Sequence, residues 1–294
     1  MPTTQGLGTV TARHDIVRGI ARYRDGGAAS LLRDGEVHVW TLRLDLDRAA
    51  QERLEAFLSG AEVERARRFV HQTDRRRYVC AHGLLRLVLS GYVGIRPRDI
   101  AFEEGPGGKP RLAEQPGPRF NLTHSDDLAL VAVSRDREVG IDVERIREIG
   151  SLRALADACF SPAERAALAA IAGPLRLQAA FAGWTRKEAF LKALGEGLAM
   201  PLDSFDVTLV PGEPPRLLRV EDAPDAPGRY TLRAVQPAPG YVGALAVEGR
   251  ATAVRSRPWE MLDALLEGGE ERRARRRGKP EPGDGEAGRG RECA

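Results

Sequence analysis

The sequence predicts an α+β fold of two similar halves that meet near residues 136–139. Three observations lead there. The order strand, helices, short strands is read twice along the chain. A chain of 294 residues, 42% hydrophobic and 30% charged, has room for one large domain or two ordinary ones, with no need of a disulfide or metal to hold its core. No short-period repeat competes with that division.

Residues 1–34 carry scattered Gly and Thr with weak periodicity and read as an accessory extension. E-V-H-V-W-T-L-R-L is the first strand; helical patterns follow near 47–70, and a longer helix is expected over about 74–92. Short strands around Ile100, Arg119 and Leu128 complete a first half of 35–137. The second half, 138–255, opens on the strand V-G-I-D-V-E, runs through helices over about 151–194, and closes with strands near 205–210, 216–220, 229–236 and 241–248. In the remainder, 256–294, P-W-E-M-L-D-A-L-L-E-G reads as a short amphipathic helix. The Arg-, Gly- and Pro-rich tail after it has no apolar side chains large enough to pack and reads as disordered.

The 45 basic and 42 acidic residues leave a formal net charge of +3, too balanced to mark a nucleic-acid binder. The arginines of 272–277 are flanked by acids and read as a solvated tail. Cys80, Cys159 and Cys293 lie far apart with no C-x-x-C, so neither a zinc site nor a disulfide framework is expected, and reduced cysteines in the cytoplasm are the simpler reading. No apolar run approaches the roughly 18 residues of a membrane-spanning helix, and the N-terminus has no signal-peptide pattern.

In V-G-I-D-V-E-R-I, alternation places Val139, Ile141 and Val143 on one face and Gly140, Asp142 and Glu144 on the other. The two carboxylates then lie roughly 7 Å apart by strand geometry, beside a glycine that would let a ligand approach. Like charges so close favour a hard divalent cation, and magnesium suits one to three carboxylates plus phosphate oxygens. The competing reading is a solvent-facing strand with two acids.

W-T-R-K-E-A-F-L-K-A-L spaces Trp184, Glu188 and Lys192 at i, i+4 and i+8, with Phe181, Leu191 and Leu194 as apolar anchors. Alone this is a surface Glu-to-Lys pair. If the helix packs beside the V-G-I-D-V-E strand, Glu188 becomes a third acid for a metal and Lys192 neutralises developing negative charge, which points to phosphoryl transfer.

F-E-E-G-P-G-G-K-P-R-L supplies a tight glycine turn with Lys109 beside it; it is not a Walker A loop, whose spacing is absent. Thr123 and His124 end a strand where they could meet a phosphate. Arg65, Arg67, Arg68, Arg75, Arg76 and Arg77 are mostly solvated helix-surface residues, of which one or two could reach a nucleotide phosphate. C-F-S-P-A-E-R sets Ser161, Pro162 and Glu164 as a capping box, which accounts for Glu164 with no catalytic role.

Together these motifs resemble the surfactin-synthetase-activating class of the 4′-phosphopantetheinyl transferase superfamily, in one order and spacing from about residue 37 to 247. R-R-F-V-H-Q-T-D, P-L-D-S-F-D-V and G-Y-V-G-A-L-A-V extend the likeness. The resemblance implies two pseudo-symmetric α/β halves with the active site in the cleft between them. It implies an enzyme that moves 4′-phosphopantetheine from coenzyme A to a serine of an acyl or peptidyl carrier protein, with Mg2+, releasing adenosine 3′,5′-bisphosphate. Such enzymes commonly serve polyketide and nonribosomal peptide pathways.

By the same resemblance Asp142, Glu144 and Glu188 would be the metal ligands, and Lys192 with Lys187 would stabilise the phosphate charge. Gly108, Lys109 and Pro110, the Thr123–His124 turn, Arg77 and Arg65 would hold the coenzyme, and Asp142 would adjoin its pyrophosphate through the metal. Glu164 would be an acid near the cleft, against its capping-box reading. Either Glu188 or a carboxylate acting through water would take the serine proton. Glu62 and Gln72 stand where the family pattern suggests lysines. A monomer with no membrane or nucleic-acid partner is expected. The rival readings are a magnesium-dependent hydrolase that cleaves a pyrophosphate and a non-catalytic nucleotide- or nucleic-acid-binding protein.

Overall fold

The computed structural model describes residues 32–113, 117–195, 200–250 and 253–258. The N-terminal extension, the helix expected after 258 and the Arg-rich tail lie outside the described residues apart from their inner edges.

The first half runs β1 (Glu36–Arg43), α1 (Arg48–Glu55), α2 (Gly60–Arg67), α3 (Gln72–Val93), the hairpin β2 (Phe102–Glu104) and β3 (Pro110–Leu112), then β4 (Arg119–Ser125) and β5 (Leu128–Ser134). The second half runs β6 (Val139–Arg145), α4 (Leu152–Cys159), α5 (Pro162–Ala170), α6 (Gly173–Leu194), the hairpin β7 (Phe205–Val207) and β8 (Leu217–Val220), a short α7 (Ala226–Arg229), β9 (Tyr230–Val235) and β10 (Tyr241–Glu248). β11 (Ala253–Arg257) follows, a strand absent from the sequence reading.

The doubling expected from the sequence is present strand by strand. One sheet has the order β11-β1-β5-β4 and the other β6-β10-β9, so β1, β5 and β4 correspond to β6, β10 and β9. Each half sets one 22-residue helix, α3 or α6, against its sheet, and each helix ends on a glycine in the left-handed region, Gly94 or Gly195. β11 crosses back to pair in parallel with β1, so the chain's last described strand belongs to the first sheet.

Period-two alternation divides the apolar residues among the layers. Val37 and Val39 of β1, Leu128, Leu130 and Ala132 of β5, Val139, Ile141 and Val143 of β6, and Leu245 and Val247 of β10 form one core shared by both sheets. The alternate residues Trp40, Leu42, Ala129, Val131 and Val133 pack with α3. Ala244 and Ala246 pack with α6. The sheets therefore share their inner faces and carry the long helices outside.

α6 is buried on most sides, including Phe181, Thr185, Lys187, Ala189, Phe190 and Leu191. Trp184, Glu188 and Lys192 form a half-buried stripe along it, at the spacing read from the sequence.

Candidate functional site

Gly140 decides how close α6 comes to β6. A Cβ at that position would collide with the Ala189 carbonyl oxygen, the Ala193 nitrogen and the Lys192 carbonyl carbon. The close approach that glycine permits is thus made by the helix backbone rather than by a ligand, which corrects the expectation for Gly140. Its consequence is that α6 lies directly on the face of β6 that carries Asp142, so residues distant in sequence share one seam.

At that seam the Lys192 ammonium donates to Asp142 Oδ1 at 2.6 Å, and the Thr123 hydroxyl donates to the same oxygen at 3.0 Å. Asp142 is 5% exposed, and its other oxygen, Oδ2, is buried with no hydrogen-bond partner among the described residues. Burial pushes the Asp142 carboxyl up to about 6, Lys192 and Thr123 pull it back, and the nearby Glu188 charge adds to the rise. Glu144 Oε2 accepts from the Ser125 hydroxyl at 2.8 Å and lies 3.6 Å from Arg147.

Beside this pair is a cleft lined by Gly107, Gly108, Lys109, Pro110, Asn121, Glu188, Leu191, Lys192 and Gly195. It joins the glycine turn of the first half to α6 of the second. Lys109 is buried, donating to Glu138 Oε2 at 2.8 Å and to the Val139 carbonyl at 2.9 Å. Burial lowers its pKa, and Glu138 opposes the shift. Among the described residues no group of three His, Cys, Asp or Glu side chains is arranged as a ready-made metal cage.

Other expected residues lie elsewhere. Lys187 is fully buried, and its ammonium is taken up by the carbonyls of Leu202 and Phe205 and by Glu164 Oε2, each at 2.6 Å. Glu164 also completes the α5 capping box and accepts from Val207 N at 2.7 Å. Burial drives both partners toward neutrality, lowering Lys187 and raising Glu164. Both partners lie buried in the second half, and neither is among the residues that line the cleft.

The first half repeats this brace. Glu62 completes the α2 capping box and pairs at 2.8 Å with buried Arg86, which donates to the carbonyls of Pro97 and Ile100. Each cation also lies over a phenylalanine, Arg86 over Phe102 and Lys187 over Phe205. Glu62 is therefore the counterpart of Glu164 and a structural acid, which explains why no lysine stands there.

Arg77 pairs with Asp127 at 3.1 Å and Asp126 at 3.4 Å, at the turn between β4 and β5. Arg65 lies over the Tyr78 ring. Neither lines the cleft. The exposed His124 has its pKa lowered by desolvation, then by the charges of His82, Arg77 and Lys192.

Asn121 and Leu191 line the cleft, and Ser125 holds Glu144; none of the three was assigned a site role from the sequence. For Asn121 and Ser125 a signal exists: with Thr123 they occupy alternate positions of one strand whose last residues are Thr-His-Ser.

Two like halves that enclose a cleft, with Asp142, Lys192, Glu144 and Glu188 near their seam, define an α+β protein built as a doubled unit. Residues 138–246 match the profile of the 4′-phosphopantetheinyl transferase superfamily, and 48–136 match that of the 4′-phosphopantetheinyl transferase N-terminal domain. The chain is 38% identical over 223 residues to the 4′-phosphopantetheinyl transferase HetI of Nostoc sp., covering 75% of this chain and 90% of that protein. It is 34% identical over 164 residues to the 4′-phosphopantetheinyl transferase Sfp of Bacillus subtilis, covering 56% of this chain and 72% of that one. A phosphopantetheinyl transferase of Thraustochytrium sp. is 29% identical over 251 residues, covering 78% of this chain and 85% of its own.

The chain belongs to the 4′-phosphopantetheinyl transferase superfamily. It is a transferase that places 4′-phosphopantetheine on carrier proteins, and its family uses coenzyme A and a divalent metal. None of its described helices is long and apolar enough to cross a membrane.

Proposed function

We propose that this chain moves 4′-phosphopantetheine from coenzyme A to a serine of an apo acyl or peptidyl carrier protein with Mg2+ as the ion, and that the reaction centres on Asp142 and Lys192. The observation that carries this reading is the divided environment of Asp142, with Oδ1 shared by Lys192 and Thr123 and Oδ2 buried without a partner among the described residues. A buried carboxylate oxygen without a donor fits a hard cation, and Glu188, which raises the Asp142 pKa by its charge, gives a second reason for one.

Asp142, Glu144 and Glu188 would hold Mg2+. The bound ion supplies charge neutralisation at the pyrophosphate. Lys192, at the rim of the cleft, answers negative charge on the leaving phosphate. The serine oxygen forms a bond to phosphorus as the phosphorus–oxygen bond to the leaving adenosine 3′,5′-bisphosphate breaks. Glu188 lines the cleft, which supports it as the acceptor of the serine proton, directly or through water.

Gly108, Lys109 and Pro110 would hold the coenzyme along the cleft wall, with Thr123 and His124 beyond Lys192 and with Arg77 and Arg65 toward its anionic end. Glu164 and Lys187 would act through the placement of α6. Both halves of the cleft come from one chain, which supports a monomer. Cys80 and Cys159 are free and buried, in keeping with a cytoplasmic enzyme.

The test is product analysis with coenzyme A, Mg2+ and an apo-carrier protein. Transfer yields holo-carrier and adenosine 3′,5′-bisphosphate in equal amounts. Free 4′-phosphopantetheine released without a carrier would establish a hydrolase instead.

A further inference from the structure

β4 and β6 are the facing edges of the two sheets, and side chains rather than backbone ladders join them. An edge strand presents unpaired N–H groups that need acceptors once buried. Two such groups on β6 find them on β4: Ile141 N donates to Asn121 Oδ1 at 2.9 Å, and Arg145 N donates to Ser125 Oγ at 3.1 Å. These bonds fix the register of one half against the other.

The same edge of β4 also reaches the acids. Thr123 donates to Asp142, and Ser125 donates to Glu144 Oε2 at 2.8 Å. Ser125 is 7% exposed and has a single hydroxyl proton. Because its oxygen accepts from Arg145 N, that proton is directed at Glu144. A carboxylate held in this way is anchored through the neighbouring strand, with the more exposed Arg147 3.6 Å from the same oxygen as its other partner.

We infer that Ser125 is a positioning residue for the metal site. It couples the register of the two halves to the orientation of Glu144, so that divalent-ion binding depends on a hydroxyl supplied by the first half. The inference rests on the reading of Glu144 as a ligand. Groups that orient metal ligands from behind typically contribute about 10–100-fold to metal affinity.

Ser125→Ala, Ser125→Thr and Glu144→Gln are compared with the unaltered full chain in two titrations with Mg2+. One follows carrier modification at saturating coenzyme A; the other follows the Mg2+-dependent rise in Tm with coenzyme A present and no carrier. Ser125→Ala is expected to raise the Mg2+ requirement about 10–100-fold in both titrations. Its kcat at saturating Mg2+ should be near that of the unaltered chain, and Ser125→Thr should restore the requirement. Ser125→Ala combined with Glu144→Gln should be no worse than Glu144→Gln alone, since one acts through the other.

A Ser125→Ala protein with an unchanged Mg2+ requirement, in a series where Glu144→Gln weakens Mg2+, overturns the role of Ser125 and leaves the ligand reading standing. A Glu144→Gln protein with unchanged Mg2+ dependence overturns the ligand reading itself. A fall in Tm for Ser125→Ala without a shift in the Mg2+ titrations assigns Ser125 to the fold alone and likewise overturns the inference.

Discussion

Lys192 of α6 and Asp142 of β6 meet at 2.6 Å because Gly140, two residues before the aspartate, lets the helix rest on the strand. The pair joins the sequence motifs W-T-R-K-E-A-F-L-K and V-G-I-D-V-E into one site. If Lys192 answers charge on the leaving phosphate, Lys192→Ala should lower kcat for carrier modification by about 10²–10³-fold, a magnitude typical of removing one charge-stabilising donor. Lys192→Arg should recover part of it. Steady-state kinetics on an apo-carrier would check both.

Gly140→Ala should separate these groups without changing either. Its methyl would meet backbone atoms of α6, which cannot move aside as a flexible side chain can. Overpacking typically costs about 1–3 kcal/mol, and here the displaced element carries Glu188 and Lys192. Urea unfolding should report a loss of at least that size together with a fall in transfer activity.

Asp142 gives a pH dependence of fixed sign. Its folded carboxyl is held at about 6, above the ordinary 3.8, so between those values the folded chain binds more protons than the unfolded one. Stability therefore falls as pH rises through that window, by roughly 3 kcal/mol at about 1.4 kcal/mol per pKa unit. Without divalent ions, Asp142→Asn should be more stable than the unaltered chain above pH 6. The gap should close below pH 4, and the variant should be inactive throughout. Chemical denaturation across pH in a chelating buffer would measure this.

The buried pair Lys187 and Glu164 should behave as a brace. Lys187→Met or Glu164→Gln alone leaves a buried charge uncompensated, which typically costs about 3–5 kcal/mol. The double variant should cost much less than the sum, with the cap bonds of Glu164 accounting for the remainder. Arg86→Met should reproduce the single-variant loss in the first half. Denaturant unfolding of the four proteins would test the equivalence.

Much of this was legible before folding. The long helix near 74–92, the helical stretch over 151–194, the β6 alternation and the Trp184, Glu188, Lys192 stripe follow from periodicity, which is local. What periodicity does not carry is the direction in which a polar side chain leaves a helix buried on nearly all sides. Lys187 stands one residue from Glu188, yet it points into the core of its half while Glu188 faces the cleft. The repeated capping boxes, Ser59 to Glu62 and Ser161 to Glu164, were a usable clue to that brace, since an acid spent at the same place in both halves is more readily structural than catalytic. Strand β11 went unread because its alternation is weak and its partner, β1, lies at the other end of the chain.

The most direct test is the intact mass of an apo-carrier protein after incubation with the chain, coenzyme A and Mg2+. The account predicts one added phosphopantetheinyl group with the unaltered chain, and none without Mg2+ or with Asp142→Ala. A carrier modified equally well by Asp142→Ala would contradict it.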